Sequence, residues 1–218
     1  MTRLEIRNKF RAENPDVTER VITDATLNEW LISGDKEICA LTRCIVSNVS
    51  ETFNTVINTQ YYDLTAQIDK FYDIDDMPGG GVYYNDVPLK KTTPGEMNYT
   101  ARSWRTRSSG TPQKYWRRGK YLWFDRAPDA VQDVDIDCVY VSDDFDSDSV
   151  APYNQLEHLE PFHDGLVKYL QRRTKQKIGK PEDAATAEKD YMDYVKWMKK
   201  TVKGYSQSAV FMRVAASA

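Results

Sequence analysis

The chain has no apolar run near 18 residues, the length a helix needs to cross a bilayer, so no membrane span is expected. Its three cysteines, Cys39, Cys44 and Cys138, include no C-x-x-C pair. An odd number without metal or redox spacing suits a reducing compartment and buried thiols. Cys39 and Cys44 lie five apart, so on one helix they point in different directions. Histidine is scarce, with only His158 and His163, and these share no helical face. H-E-x-x-H and G-x-S-x-G are missing, and no Cys–His pairing is readable. Gly79-Gly80-Gly81 lacks the Gly-Lys-Ser/Thr of a phosphate loop and reads as a turn. Among 33 acids, nothing singles out a pair for glycosidase chemistry. Met1-Thr2-Arg3-Leu4-Glu5 is followed by no apolar h-region, so no signal peptide is expected. No catalytic residue, metal site or cofactor is expected, and the chain does not read as an enzyme.

What the sequence does have is sorted charge. The formal net charge is only −3. Yet Tyr99–Lys120 holds seven basic residues and no acid: Arg102, Arg105, Arg107, Lys114, Arg117, Arg118 and Lys120. Asp129–Asp148 holds eight aspartates and no base, among them Asp133, Asp135, Asp137, Asp143 and Asp144. A basic side and an acidic side on one chain fit head-to-tail contact between identical copies, which closes into a ring when the rotation allows. The basic run also interleaves with Trp104, Tyr115 and Trp116. Cations for phosphates and rings for stacking would equally make a nucleic-acid groove, and pairing inside the fold is a third reading. Asp133, Asp135 and Asp137 alternate with Val134, Ile136 and Cys138, which puts carboxylates on one face of a strand. A solvated or partner-facing edge strand is expected there, since the EF-hand spacing and glycine are missing. The chain is rich in aromatics, with 14 Tyr and 5 Trp. These either fill a β-rich core or cover surface that a partner will bury.

The fold expected is α+β. Thr2-Arg3-Leu4-Glu5 has capping-box spacing, and Asn14-Pro15 ends the first helix. Thr23-Asp24 opens a second helix, with Leu27, Trp30, Leu31, Gly34, Ile38, Leu41 and Ile45 as its core stripe. Roughly six antiparallel strands follow, including Thr55-Val56-Ile57, Gly81 to Tyr84, Lys114 to Arg117, Tyr121 to Phe124 and Val134 to Val141. Pro94-Gly95-Glu96-Met97 should form a helical turn among them. Glu160-Pro161 should start a third helix with Phe162, Leu166, Tyr169 and Leu170 buried. Pro181 starts a fourth, whose stripe of Ala184, Ala187, Tyr191, Tyr194, Met198 and Val202 ends at Gly204. The expected domains are a helical bundle of residues 1–50 and 151–204, an inserted β-rich domain of 51–150, and an extended C-terminal arm of 205–218. That arm carries Val210, Phe211, Met212, Arg213 and Val214 and is either disordered or orders on a partner.

Several segments together resemble the head-to-tail adaptor (connector, or head completion) proteins of tailed bacteriophages. They are Thr23-Asp24 through Asn28-Glu29-Trp30-Leu31, Val82-Tyr83-Tyr84-Asn85 into Pro88 to Pro94, and Gly110-Thr111-Pro112 to Tyr115. To these are added Tyr121 to Phe124 with Ala127-Pro128-Asp129, and Leu159 to Leu170 with its Gly179-Lys180-Pro181 turn. The resemblance implies a structural virion protein at the portal–tail junction, assembled in the host cytoplasm. It implies a dodecameric ring with the portal above, tail nozzle or tube proteins below, and genomic DNA passing without sequence-specific binding. On this reading Val210 to Val214 bind the portal and the two charged runs meet between subunits. The alternative is a nucleic-acid-binding module with an OB-like β domain, which would bind single strands through Trp104 and Trp116.

Overall fold

A computed structural model describes residues 1–46, 50–75, 81–100, 104–142, 145–179 and 181–216; for residue 100 and residues 204–216 it describes the backbone alone. Arg102, Asp143 and Asp144 lie outside the described residues. The chain divides into a helical unit, Met1–Ile45 with Val141–Ala218, and a β unit, Val46–Tyr140.

Local chemistry sets the first two helices. Helix α1 (Arg3–Glu13) opens on a capping box: Thr2 Oγ1 accepts from the Glu5 N–H at 3.3 Å and the Glu5 carboxylate accepts from the Thr2 N–H at 2.8 Å. This satisfies two amides that have no partner within the helix. Asn14 ends the helix, its side chain donating to the Phe10 carbonyl at 2.9 Å. Helix α2 (Asp24–Thr42) is capped by Thr23 and stops at Arg43, which turns left-handed at φ 56°. Leu27, Leu31, Gly34 and Ile38 are buried as expected. Leu41 is exposed instead, because the apolar stripe drifts off the core face by the last turn.

The β unit builds ten short strands among the described residues, against roughly six expected. They are β1 (Glu51–Asn54), β2 (Tyr61–Asp63), β3 (Phe71–Ile74), β4 (Val82–Tyr84), β5 (Val87–Pro88), β6 (Lys90–Lys91), β7 (Lys114–Arg118), β8 (Tyr121–Phe124), β9 (Asp133–Ile136) and β10 (Cys138–Tyr140). Short helices α3 (Leu64–Gln67) and α4 (Pro94–Thr100) interrupt them. Three sheets form, ordered β1-β9-β4-β5, β10-β3 and β2-β8-β7-β6. All pairings are antiparallel except β6 with β7. The core holds Tyr62, Leu64, Leu122, Phe124, Val134, Ile136 and Cys138. Thr55 to Ile57 is not a strand. The Thr55 hydroxyl is bonded to the Ala130 and Gln132 carbonyls at 3.1 Å, Val56 and Ile57 are exposed, and Asn58 turns at φ 64°. Strand β9 is not an edge: it is paired with β1 on one side and β4 on the other.

The chain then returns to the helical unit. Pro161 lies in a 3-10 turn, Glu157–Phe162, and helix α5 (Asp164–Ile178) begins after it, a few residues later than expected. Phe162, Leu166, Tyr169 and Leu170 are buried. Helix α6 (Pro181–Ala216) does not stop at Gly204, so the segment expected as an extended arm is helical. Its buried face is Tyr191, Val195, Met198 and Val202, with Val195 taking the place expected for Tyr194. Arg172 joins three helices, pairing with Glu37 of α2 at 2.6 Å and Glu188 of α6 at 2.8 Å, its guanidinium 4.6 Å from the Tyr191 ring centre.

Two polar links tie the returning chain to the first helices. Arg3 and Arg7 of α1 reach Asp148 at 3.0 and 3.2 Å, and hydrogen bonds from Arg3 and Arg7 hold the Asp148 carboxyl below its usual range. Asp35 of α2 is buried and accepts from the Ser142 hydroxyl and, at 3.0 Å, from the Tyr153 N–H. Burial raises the Asp35 carboxyl to about 6, although both hydrogen bonds oppose the shift.

Two outcomes follow for the helical unit. An added Cβ at Gly34 would sit 2.6 Å from Tyr169 Cδ1, so Gly34→Ala should cost about 1–3 kcal/mol by overpacking, read as a lowered chemical-denaturation midpoint. Asp35 titrates near 3.8 when unfolded and about 6 when folded, so its contribution to stability is full below 3.8 and is lost as pH rises through 6. Asp35→Asn should therefore gain on the wild type between pH 4 and pH 7.5, by up to about 3 kcal/mol, in matched denaturation curves. A constant difference across that range would refute the assignment.

Candidate interaction surface

The two charged runs can be followed residue by residue. On β7 the side chains alternate, Tyr115 toward the β core and Lys114, Trp116 and Arg118 on the opposite face. That face continues across the sheet through cross-strand neighbours: Trp116 opposite Trp123 of β8, and Trp123 opposite Tyr61 of β2. The rings form a ladder, Trp116 stacked on Trp123 at 6.0 Å and Trp123 on Tyr61 at 4.8 Å, with Trp104 edge-on to Trp116 at 4.5 Å. The ladder accounts for three of the five tryptophans: it packs the outer sheet face under α4, with Met97 in the same cluster.

Burial decides between two uses of these rings. Trp104 and Trp116 are each 3% exposed, so neither presents a face to a base. Trp123 is partly exposed, and Tyr61 and Tyr121 at the far end of the ladder are exposed. The OB-like alternative fails on both counts, because its stacking rings are covered and the strands form three separate sheets.

The basic run is largely used inside the β unit. Arg117 is paired with Asp73, donates to the Gly119 and Tyr72 carbonyls at 2.6 and 2.9 Å, and lies over Phe71. Lys120 pairs with Asp63 at 2.6 Å, which raises the Lys120 ammonium and lowers the Asp63 carboxyl from their usual values. Arg107 is 3.8 Å from Asp125, a buried carboxylate that also accepts from the Gln113 and Lys114 amides. Arg105 sits over the Trp104 ring at 4.7 Å. None of the described carboxylate partners belongs to the Asp129–Asp148 run. Lys114 and Arg118 make no ion pair among the described residues, and Lys90 stands opposite Lys114 in the parallel pairing. Like charges abreast are unfavourable alone, so this edge favours an approaching anion.

The acidic run is divided. Asp135 accepts from the Thr52 hydroxyl. Asp137 accepts from Ser50 at 2.7 Å and from the Gly81 N–H at 3.1 Å. Asp148 belongs to the helical unit with Arg3 and Arg7. Asp129, Asp133 and Asp146 are exposed and make no ion pair among the described residues. The side chains of Val210, Phe211, Met212, Arg213 and Val214 lie outside what the structure describes, although their backbone is helical.

One surface had no signal in the charge pattern. Loops 55–60, 107–112 and 126–132 are laced together at one end of the β unit. Thr55 N–H donates to the Gln132 carbonyl, Asn58 N–H to Pro128 and Gly110 N–H to Ala127, each at 2.9 Å, and Ser109 bonds the Asn58 side chain. This frame exposes Val56, Ile57 and Val131 at 59, 49 and 57%. Exposed aliphatics on a hydrogen-bonded frame suit protein contact. The sequence reads Val56 and Ile57 as strand residues and does not mark Val131, and only their exposure reveals them.

Chemistry finds little here. Among the described residues no group of three His, Cys, Asp or Glu could hold a metal. His163 is buried, with its Nδ1 2.6 Å from the N-terminal amine of Met1, and burial lowers its pKa to about 4. A cleft in the β unit is lined by Gly81, Val82, Tyr83, Pro88, Leu89, Lys91 and Tyr115, with no nucleophile–base pair among them. No helix of the described residues is long and apolar enough to cross a membrane. A family model described as SU10 adaptor protein matches residues 1–209. No curated protein matches the chain.

The used and unused cations should separate experimentally. Arg117→Ala removes a half-buried ion pair and two carbonyl contacts, and should cost about 1–2 kcal/mol of β-unit stability. Arg118→Glu should leave the melting temperature of the isolated chain unchanged. Equal losses from both substitutions would show that the distinction is wrong.

Proposed function

The chain belongs to the SU10 adaptor protein family, structural adaptors of bacteriophage particles, and from that premise we propose that it works as a head-to-tail adaptor ring. Copies stand side by side around an axis, twelve in the ring, between the portal and the tail nozzle or tube. Genomic DNA passes through the centre without sequence-specific contact. The work is shape and charge matching, with no catalytic step. The observation that carries this reading is the residue of unpaired charge: Lys114 and Arg118 on one face of the β unit, and Asp133 exposed with no ion pair among the described residues. Charges that the fold leaves unmatched are the ones that can choose a partner.

In this ring, Lys114 and Arg118 of one copy meet Asp133 of the next. Arg105, Arg107, Arg117 and Lys120, with Asp135 and Asp137, act mainly as the internal frame that holds those groups in place. The end of α6, from Val210 to Val214, docks on the portal. Val56, Ile57 and Val131 supply an apolar contact to a neighbour or a tail protein. The buried Trp104 and Trp116 support this protein-contact reading over a stacking groove for single strands.

The ring is tested by mixing the chain with the portal protein encoded beside it and imaging the product. The isolated chain should be a monomer by mass measurement and should form a ring on the portal. The pair Lys114→Glu and Arg118→Glu should abolish that ring, and adding Asp133→Lys should restore part of it. A ring untouched by the one-sided reversal would overturn the charge contact. A stable dodecamer free in solution would overturn template-dependent assembly.

A further inference from the structure

We propose that Cys39 and Cys44 close into a reversible disulfide that staples the C-terminal end of α2. A regular helix would separate two residues five apart by roughly 140° around its axis. The structure brings them together because α2 stops between them. Arg43 adopts φ 56°, ψ 43°, and its N–H bonds the Cys39 carbonyl at 2.8 Å. The backbone therefore folds back, and the two Sγ atoms lie 3.8 Å apart. Both thiols are reduced in this structure and nearly inaccessible, at 2 and 1% exposure. A disulfide needs about 2.05 Å between sulfurs, so side-chain rotation with a small backbone adjustment is what remains. The pair lies at a helix end, where local opening is less costly than in a helix centre. That opening gives a small reagent access.

The two sulfurs are chemically distinct. The contact between them lowers the Cys44 thiol from its usual value, while that contact and burial raise Cys39. Cys44 is then the first nucleophile. The oxidant is a low-molecular-weight disulfide such as oxidised glutathione. The Cys44 thiolate attacks one sulfur of it, forming a mixed disulfide and expelling one thiolate, which takes up the Cys44 proton. Cys39 then attacks the Cys44 sulfur, expels the second thiolate and gives it the Cys39 proton. Two protein thiols lose two electrons, and the reagent leaves as two thiols. Cys138 does not compete: it is buried in the β unit, and burial pushes its thiol up to about 12.

Compartment gives the staple its timing. Host cytosol keeps thiols reduced, whereas a released particle meets oxidising conditions. The bond would set after assembly, when the end of α2 no longer needs to adjust. This timing rests on the virion role proposed above; the cross-link itself does not.

Trypsin cleaves after Arg43, between the two cysteines, so the bond is read directly. In folded wild-type chain treated with oxidised glutathione and then alkylated, peptide Glu37–Arg43 should appear linked to peptide Cys44–Lys70. The melting temperature should rise, and a reductant should reverse both changes. Cys39→Ala should lose the linkage and the rise. If the folded chain gives no linked peptide at a reagent concentration that links the urea-unfolded chain, or if linkage lowers the melting temperature, the staple is refuted. Particles alkylated inside cells and after release test the timing separately. Linkage in released particles alone supports it, and equal linkage in both, or in neither, overturns it.

Discussion

Asp35 is the point at which the helical unit closes on itself. The unit is built from two stretches of chain separated by the whole β unit, so its first and last helices must find each other across a long insertion. Loop closure of that kind is entropically costly before any contact forms. Asp35 sits on α2 and takes hydrogen bonds from Ser142 and Tyr153 on the returning chain. The segment it holds is an unusual one: Tyr153, Asn154 and Gln155 all have φ near 55°. Left-handed backbone costs on the order of 1–2 kcal/mol for each residue other than glycine, so this turn persists only if its surroundings impose it. The Tyr153 hydroxyl, bonded to the Phe162 carbonyl at 3.2 Å, is the second restraint. A buried carboxylate raised to about 6 is thus the cost of holding a turn that the local sequence does not favour.

The β unit solves a different problem with the same means. Its strands are short, and its charges are spent on securing loops: Asp125 on two amides of β7 and its approach, Arg117 on the β3 backbone, Asp137 on the residues around Gly81. Counting charges along the chain therefore overstates what reaches a partner. The surviving set is small, and its members sit on named strand faces. A few correctly placed charges determine orientation better than many mobile ones.

Much of the helical architecture was legible because helix starts carry local chemistry. Thr2 with Glu5, Thr23 before Asp24, and Pro181 before Glu182 and Asp183 each mark a beginning, and the burial of Leu27, Leu31, Phe162, Leu166, Tyr191 and Met198 follows the 3.6-residue period. The ends were harder. Arg43 in a left-handed conformation carries no sequence mark, so the meeting of Cys39 and Cys44 was invisible. The strands were legible where aromatic residues cluster between turn signals, as in Lys114–Arg118 and Tyr121–Phe124. They were missed at Tyr61–Asp63 and Phe71–Ile74, which have only three or four residues each, too few for a period to stand out. The charge runs predicted partners for each other. Asp63 and Asp73, which captured Lys120 and Arg117, lie far upstream, and only tertiary pairing reveals them.

The C-terminal helix carries the last constraint. At about 1.5 Å per residue, the 36 residues of α6 span roughly 54 Å, while the 15 residues of α5 span about 22 Å. Val202 is the last buried residue described on α6. The stretch beyond it contains Gly204, Ser206 and Ser208, all poorer helix formers than alanine. A helical segment of a dozen residues is marginal in water without a surface to pack on. On the proposed function, that surface is the portal. Coupling helix formation to docking would lower the affinity of a lone copy, because ordering entropy is lost on binding. Around a ring the same weak contact repeats for every copy, and multivalency restores the affinity of the assembled whole. On that proposal, a helical terminus that gains its packing surface only on the portal favours assembly on the template over assembly in solution.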